Sequence, residues 1–142
     1  MLTDKQIMLQ RPDTFAAWAT RDYYARHRFR LFRHVELMAT EITRAIREGA
    51  GRLIINMPPQ HGKSFFLSRW VPPWFLECFP WARVIMASYS NPLITDHSRY
   101  VRDLLEANPN FETTLRQDTR KANQWNTHLG GGMLATTIKG SV

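Results

Sequence analysis

The chain has 142 residues, of which 44% are hydrophobic and 22% charged, and its 19 Lys and Arg residues against 12 Asp and Glu residues give a formal net charge of +7. This length and composition fit one globular domain with a real core and exclude wholesale disorder, and no apolar run approaches the roughly 18 residues of a membrane span. The basic balance favours a polyanionic partner such as nucleic acid, although a solvated basic surface explains it equally well.

The first part of the chain has the periodicity of helices. One helix is predicted from Leu2 to Arg26, with an interruption at residues 11–13, and a second from Phe29 to Glu48. In the second, apolar residues recur at three- and four-residue steps, which is the pattern of an amphipathic helix. Gly49 ends it with a residue that tolerates positive φ. Residues 1–50 are therefore predicted to form an N-terminal helical segment.

After residue 50 the pattern becomes that of an α/β protein. Two short β-branched runs have the composition of buried parallel strands, and helical segments separate them. The predicted elements are strand Arg52–Asn56, helix Lys63–Trp70 ended by Pro72 and Pro73, helix Trp74–Cys78, strand Arg83–Ser88, helix Asn91–Ala107 capped by Asn91, and strands Trp125–His128 and Met133–Lys139. We therefore expect a parallel sheet flanked by helices over residues 51–142.

The stretch NMPPQHGKSFF, from Asn56 to Phe66, carries most of a phosphate-binding loop. In the pattern G-x-x-x-x-G-K-[ST], the lysine reaches the β- and γ-phosphates, and the hydroxyl that follows can bind Mg²⁺. Gly62, Lys63 and Ser64 match its end, between a predicted strand and a predicted helix. Met57 replaces the first glycine, and the two prolines after it hold φ near about −65°, so a rigid path can replace a flexible one. The structural alternative is an exposed glycine turn that precedes Lys-Ser by chance.

Residues 52–105 resemble the ATPase region of phage and prophage terminase large subunits. The loop PPQHGKS follows an apolar strand, the next strand ends in ASYS, and W-N-T with three glycines comes later, so that the resemblance covers about residues 29–142. It implies a P-loop NTPase-like fold with ATP and Mg²⁺ as cofactors. It assigns the triphosphate to Pro59, Gln60, His61, Gly62, Lys63 and Ser64, with Lys63 on the β- and γ-phosphates as the catalytic residue and Ser64 on the magnesium.

The resemblance also implies a biological setting. Terminase large subunits pump double-stranded DNA into procapsids in the cytoplasm of the bacterial host. The implied partners are the DNA, a portal protein, a small terminase subunit and further copies in a homo-oligomeric ring, without a membrane. Many members have an arginine in the loop where this chain has Gln60. Arg69, Arg99 and Arg102 are the candidates to supply that charge instead.

The carboxylates that ATP hydrolysis requires have no predicted counterpart in the chain. In the family they follow the region that matches Gly140, and a nuclease domain comes after them. Glu77, Asp96, Asp103 and Asp118 are the possible substitutes, yet none ends a β-branched run. We therefore expect a partial P-loop ATPase core over residues 51–142, cut before its hydrolytic acids and nuclease, that binds ATP without efficient hydrolysis.

Two alternatives to this function remain open from the sequence. The chain has features of another P-loop ATPase, such as a helicase-like enzyme, or of a basic nucleic-acid-binding module with a vestigial loop. A cluster of arginines interleaved with aromatic residues favours the nucleic-acid-binding module, but a solvated helix face explains the cluster too. The arginines are at 21, 26, 28, 30 and 33, and the aromatic residues are Tyr23, Tyr24, Phe29 and Phe32. His34 is either close to a bound base or a packed helix histidine.

Overall fold

The computed structural model describes residues 3–138 and divides the chain into two compact units, one running to Phe66 and one beginning at Leu67. Leu2, at the predicted start of the first helix, and Lys139 and Gly140, at the end of the last predicted strand and of the terminase-like stretch, lie outside the described residues. Within residues 3–138, no helix combines the length and the hydropathy that crossing a membrane requires.

The first unit is helical, as predicted, with shorter helices than expected. It contains α1 (Asp4–Met8), α2 (Pro12–Ala19), a 3₁₀ turn (Ala25–His27) and α3 (Arg33–Arg47). The break between α1 and α2 falls at the predicted interruption. α2 packs against both α1 and α3. The apolar side chains buried in this unit include Met8, Phe15, Val35, Met38 and Ile42.

Helix α3 begins at Arg33 instead of Phe29 because the residues before it are extended. The N–H of Phe29 donates to the hydroxyl of the buried Thr20 at 2.8 Å. Phe32, the residue before the helix, has φ −108° and ψ 146°. The side-chain bond to Thr20 therefore fixes this stretch in a non-helical path.

The predicted strand Arg52–Asn56 is wrong. Residues 51–58 contain no helix or strand, and the side chains of Leu53 and Ile54 are 42% and 86% exposed. A buried parallel strand needs hydrogen-bonded neighbours and a covering layer on both faces. Within residues 3–138 no strand pairs with this segment. A β-branched composition was therefore insufficient to make it a strand.

The second unit places helices against a four-stranded sheet. Helix α4 (Lys63–Arg69) begins in the first unit, and α5 (Val71–Cys78), β1 (Arg83–Ser88), α6 (Asn91–Ala107), β2 (Leu115–Arg120), β3 (Gln124–Thr127) and β4 (Gly132–Thr137) follow. The strand order is β1-β4-β3-β2. Helix α6 contacts β1, β2 and β4, and α5 packs on α6.

The α/β class is confirmed, but the sheet is mixed. β1 pairs with β4 in parallel, whereas β4–β3 and β3–β2 are antiparallel. The short turns between β2, β3 and β4 can join only antiparallel neighbours, because parallel strands need a long crossover. The predicted all-parallel sheet is thus replaced by one parallel pair and an antiparallel extension.

The ends of the helices in this unit depend on local backbone chemistry. Pro72 and Pro73 lie in the first turn of α5 and do not end α4, because proline is tolerated in the first turn of a helix. Helix α6 has the predicted bounds, and its N-cap residue is Ser90 instead of Asn91.

Two strands differ in character from the prediction. β1 has the predicted bounds, but alternate side chains are exposed, including Ile85 at 67%. β2 was not predicted, because its sequence LRQDTR is polar and lacks the apolar alternation of a half-buried strand. Asp118 therefore lies in a strand at the edge of the sheet and not in a loop.

Candidate phosphate-binding site

The predicted phosphate loop is a tight turn at the end of the exposed segment 51–58. Gln60 has φ 63° and Gly62 has φ 77°, so both adopt left-handed backbone conformations. Helix α4 begins directly afterwards at Lys63, and the N–H of Phe66 donates to the carbonyl of Gly62 at 2.9 Å. Left-handed φ is uncommon for a residue other than glycine and usually marks a turn held by its surroundings.

Two histidines hold the loop in this shape. The Nδ1 of His61 lies 2.8 Å from the carbonyl oxygen of Pro59, and the Nε2 of His34 lies 3.1 Å from the carbonyl oxygen of His61. A carbonyl oxygen only accepts, so both ring nitrogens donate a proton here. One bond closes the turn on itself, and the other ties it to α3. His34 is thus a packed helix histidine that contacts the loop.

Three of the side chains with predicted ligand roles are available, whereas the ring of His61 is bonded to the carbonyl of Pro59. Within residues 3–138, the side chains of Gln60, Lys63 and Ser64 make no hydrogen bond or ion pair. Gln60 and Ser64 are exposed, and Lys63 is partly exposed. A Cβ added at Gly62 would meet no atom within 4 Å, so its backbone is open to a close approach. The loop and the start of α4 therefore present an ammonium, a hydroxyl and an amide within five residues.

The loop fits magnesium held together with a triphosphate better than magnesium alone. Within the described residues, no group of three or more His, Cys, Asp and Glu side chains is placed to hold a metal. Mg²⁺ commonly keeps several waters and is shared between one or two protein oxygens and substrate phosphates. The Ser64 hydroxyl can supply one such oxygen.

The carboxylates considered as hydrolytic acids are occupied elsewhere. Each is paired with an arginine or with backbone N–H groups of the second unit. The pairs are Asp96 with Arg69 at 2.6 Å, Asp103 with Arg102 at 2.8 Å, Asp118 with Arg116 at 2.5 Å, and Glu77 with the N–H groups of Glu112 and Thr113 at 2.7 and 3.0 Å. The hydrogen bond from Arg116 also lowers the pKa of Asp118. None ends an apolar strand, in agreement with the prediction.

Arg69 is a structural residue of the second unit. Its Nε donates to Nδ1 of His97 at 3.0 Å, and another of its guanidinium nitrogens donates to the carboxylate of Asp96. The guanidinium also lies 4.6 Å from the centre of the Tyr100 ring. An arginine N–H can only donate, so Nδ1 of His97 accepts the bond from Nε and carries no proton. Burial, and then the Arg69 charge, lower the pKa of His97. A guanidinium with three partners is poorly suited to move onto a nucleotide.

The other two arginine candidates differ from each other. Arg102 donates to Asp103 and to the carbonyl of Arg120. Arg99 is exposed on α6 and makes no hydrogen bond or ion pair within residues 3–138. Of the three arginines, only Arg99 has a guanidinium without a partner within residues 3–138. Arg99 is therefore the remaining candidate to supply the positive charge that Gln60 lacks.

The W-N-T and glycine residues build the β3–β4 hairpin. The Nε1 of the buried Trp125 donates to the hydroxyl of Ser98 at 3.1 Å, and the hydroxyl of Thr127 donates to the carbonyl of Pro80. A Cβ at Gly131 would lie 2.3 Å from the carbonyl oxygens of both Pro80 and Ala82. These residues fasten the hairpin to α6 and to the segment that enters β1.

Phe32 stacks on the histidine that contacts the loop, which its sequence pattern did not indicate. It falls within the predicted helix Phe29–Glu48, but its ring is 52% exposed and stacks on His34 with the ring centres 5.7 Å apart and an angle of 8°. An aromatic residue two positions before the histidine is the only signal for such a pair, and helical periodicity obscured it.

Comparisons with protein-family models, with curated proteins and with solved structures found no match to this chain. The resemblance to terminases consequently depends on the motif residues alone.

Proposed function

We propose that the chain binds Mg-ATP through residues 59–64 as the N-terminal ATPase segment of a phage terminase large subunit. The observation that carries the proposal is the loop itself. Its left-handed residues Gln60 and Gly62 lead directly into a helix whose first two side chains, Lys63 and Ser64, have no partner within residues 3–138. The combination of terminase-like motifs adds support.

Each loop residue has a distinct role in this proposal. The Lys63 ammonium neutralises charge on the β- and γ-phosphates, and the Ser64 hydroxyl orients the nucleotide through its metal ion. Magnesium, when bound, neutralises charge on the phosphate oxygens. The backbone of Gly62 permits the phosphates to come close. The His34–His61 bond keeps the loop in the conformation that presents these groups.

The wider setting belongs to the same proposal. It comprises a P-loop NTPase fold, a packaging motor acting on double-stranded DNA, a portal protein and a small terminase subunit as partners, a homo-oligomeric ring, and the cytoplasm of a bacterial host. The motif residues support each of these, and the measurements below address the nucleotide step first.

The affinity of the chain should rise with the number of phosphates on the nucleotide. Lys63 and the loop contact the β- and γ-phosphates, so we expect ATP to bind most tightly, ADP less tightly and AMP below detection. Isothermal titration calorimetry of the 142-residue chain with each nucleotide and Mg²⁺ measures this order. Equal affinities for ATP and AMP would show that the base is recognised and not the triphosphate, and would contradict the proposal.

Hydrolysis by this chain should be undetectable. Glu77, Asp96, Asp103 and Asp118 are engaged in bonds of the second unit, so none is free to polarise an attacking water. A phosphate-release assay is expected to give the same rate for the wild-type chain as for the Lys63→Ala variant. A faster wild-type rate would mean that one of these carboxylates leaves its partner and acts in the reaction.

A further inference from the structure

The segment from Tyr23 to Arg33, YYARHRFRLFR, is the most strongly basic stretch of the chain. It contains four arginines, four aromatic residues and no carboxylate. Apart from the 3₁₀ turn Ala25–His27 and Arg33, the first residue of α3, it is neither helix nor strand. We call residues 23–33 the basic aromatic segment. Its composition is not explained by the helix face on which the sequence analysis placed it.

The backbone of the basic aromatic segment is anchored to the first unit. Phe29 donates its N–H to the hydroxyl of Thr20 at 2.8 Å, and its ring lies 5.8 Å from that of Phe66. The N–H of Tyr23 donates to the carbonyl of Thr20 at 3.0 Å, and the Nε of Arg28 donates to the carbonyl of Tyr23 at 2.9 Å. These hydrogen bonds therefore hold the backbone of the basic aromatic segment in a defined conformation.

Within the part of the chain that the structure describes, no carboxylate forms an ion pair with an arginine of the basic aromatic segment. Arg26 bonds to His27, and Arg28 bonds to a backbone carbonyl. Arg30 and Arg33 are exposed and make no hydrogen bond or ion pair within residues 3–138. In contrast, Arg44 on α3 is paired with Glu41 and Glu48. Four guanidinium groups without a carboxylate within eleven residues favour a polyanionic ligand.

Three large aromatic side chains of the basic aromatic segment are exposed to solvent. Tyr24 is 80% exposed, Phe32 52% and Tyr23 43%. Aromatic rings beside a positively charged track bind single-stranded nucleic acid, because unpaired bases stack on them while the arginines contact phosphates. In a duplex the base faces are already stacked on one another. A membrane-surface element would instead be a continuous amphipathic helix, which this segment is not.

We propose that the basic aromatic segment binds single-stranded nucleic acid. Guanidinium groups of Arg30 and Arg33 contact successive phosphates, and the Tyr24 ring stacks on a base. The side chains that the basic aromatic segment uses are not those that would hold the nucleotide, so the proposal does not depend on the proposed function. It adds a site for single-stranded nucleic acid to a chain for which the resemblance to terminases implies only double-stranded DNA.

Fluorescence anisotropy of a labelled oligonucleotide of about 20 nucleotides, titrated with the full chain, tests the proposal. The single strand is expected to bind at least about tenfold more tightly than the duplex of the same sequence. Arg30→Gln/Arg33→Gln should weaken binding of the single strand at least about tenfold and reduce the slope of log affinity against log salt by about 1.4. The control Arg47→Gln/Arg52→Gln removes the same charge from exposed residues of the same unit and should leave affinity within about threefold of wild type.

A second pair of variants isolates stacking. Tyr24→Leu should weaken binding about fivefold or more without changing the salt slope, since stacking on an aromatic ring contributes that much per base. Tyr89→Leu, at a tyrosine that is 87% exposed in the second unit, should have no effect. Lys63→Ala should also bind the oligonucleotide normally, whatever it does to ATP.

Several results would overturn the proposal. They are equal affinity for duplex and single strand, equal losses for the two arginine pairs, or no loss in Tyr24→Leu. Binding of the chain to anionic phosphatidylserine vesicles, weakened by Tyr24→Leu while oligonucleotide binding is not, would assign the surface to a membrane instead.

Discussion

Replacing Lys63 with alanine should weaken the binding of Mg-ATP by about 10- to 150-fold, because hydrogen bonds to charged groups contribute about 1.5–3 kcal/mol. Lys63 begins α4 and has no partner within residues 3–138, so its ammonium is available to the β- and γ-phosphates. Its removal should leave the fold intact, since this ammonium makes no hydrogen bond or ion pair within the described residues. Calorimetric titration of both chains with ATP and Mg²⁺ measures the difference.

The matched control is Lys121→Ala. Lys121 is an exposed lysine between β2 and β3 with no hydrogen bond or ion pair within residues 3–138, and its loss lowers the net charge by the same amount. We expect the Lys121 variant to bind ATP as the wild-type chain does. If the Lys63 and Lys121 variants had the same affinity, general electrostatic attraction would account for binding, and the vestigial-loop alternative would be favoured.

Replacing Gly131 with alanine should lower the free energy of unfolding by about 3 kcal/mol, from overpacking and disturbed hydrogen bonds. The new Cβ would lie 2.3 Å from the carbonyl oxygens of Pro80 and Ala82. Those carbonyls accept the bonds from Thr127 and from the N–H of Gly132 that fasten the hairpin. Backbone atoms cannot give way as a flexible side chain can, so the hairpin must shift. Urea unfolding followed by tryptophan fluorescence measures the change.

Gly130→Ala separates crowding from backbone strain. Gly130 has φ 85° but open space around it, whereas Gly131 has no room and no positive φ. The Gly130 variant should lose only about 1 kcal/mol, the cost of a left-handed alanine. If Gly131→Ala were the milder of the two, the close approach of the hairpin to residues 80–82 would be wrong.

The elements that the sequence predicted well are those set by local chemistry. Helix α6 has a proline in its first turn and ends at Ala107, before Asn108-Pro109, as the proline signals indicate. The predicted cap was wrong, because the N-cap residue is Ser90 and Asn91 is already part of the helix. β1 was predicted to the residue from a β-branched run bounded by polar residues. Such signals act within a few residues and do not require knowledge of the rest of the fold.

The elements that were missed depend on partners distant in the chain. Residues 52–56 have a strand composition but no neighbouring strand within residues 3–138, while the polar β2 is a strand because β3 pairs with it. Register and neighbours decide these cases, and composition does not. The mixed direction of the sheet likewise follows from the length of the turns between strands.

The candidate site was predicted in its residues and not in its contacts. Gly62, Lys63 and Ser64 follow from a motif that is contiguous in sequence. The bond from His34 to the His61 carbonyl joins residues that are 27 positions apart. The left-handed conformation of Gln60 depends on a backbone angle that glutamine rarely adopts. Only coordinates reveal such features.

The prolines and histidines of the loop also bear on the entropy of ligand binding. Pro58 and Pro59 restrict φ in the unfolded chain as well as in the folded one, and the bonds of His61 and His34 restrict the turn that follows. A loop that is ordered before its ligand arrives loses little conformational freedom when the ligand binds. A short loop with few contacts can thus retain more of its interaction energy as affinity than a flexible, glycine-rich one of the same length.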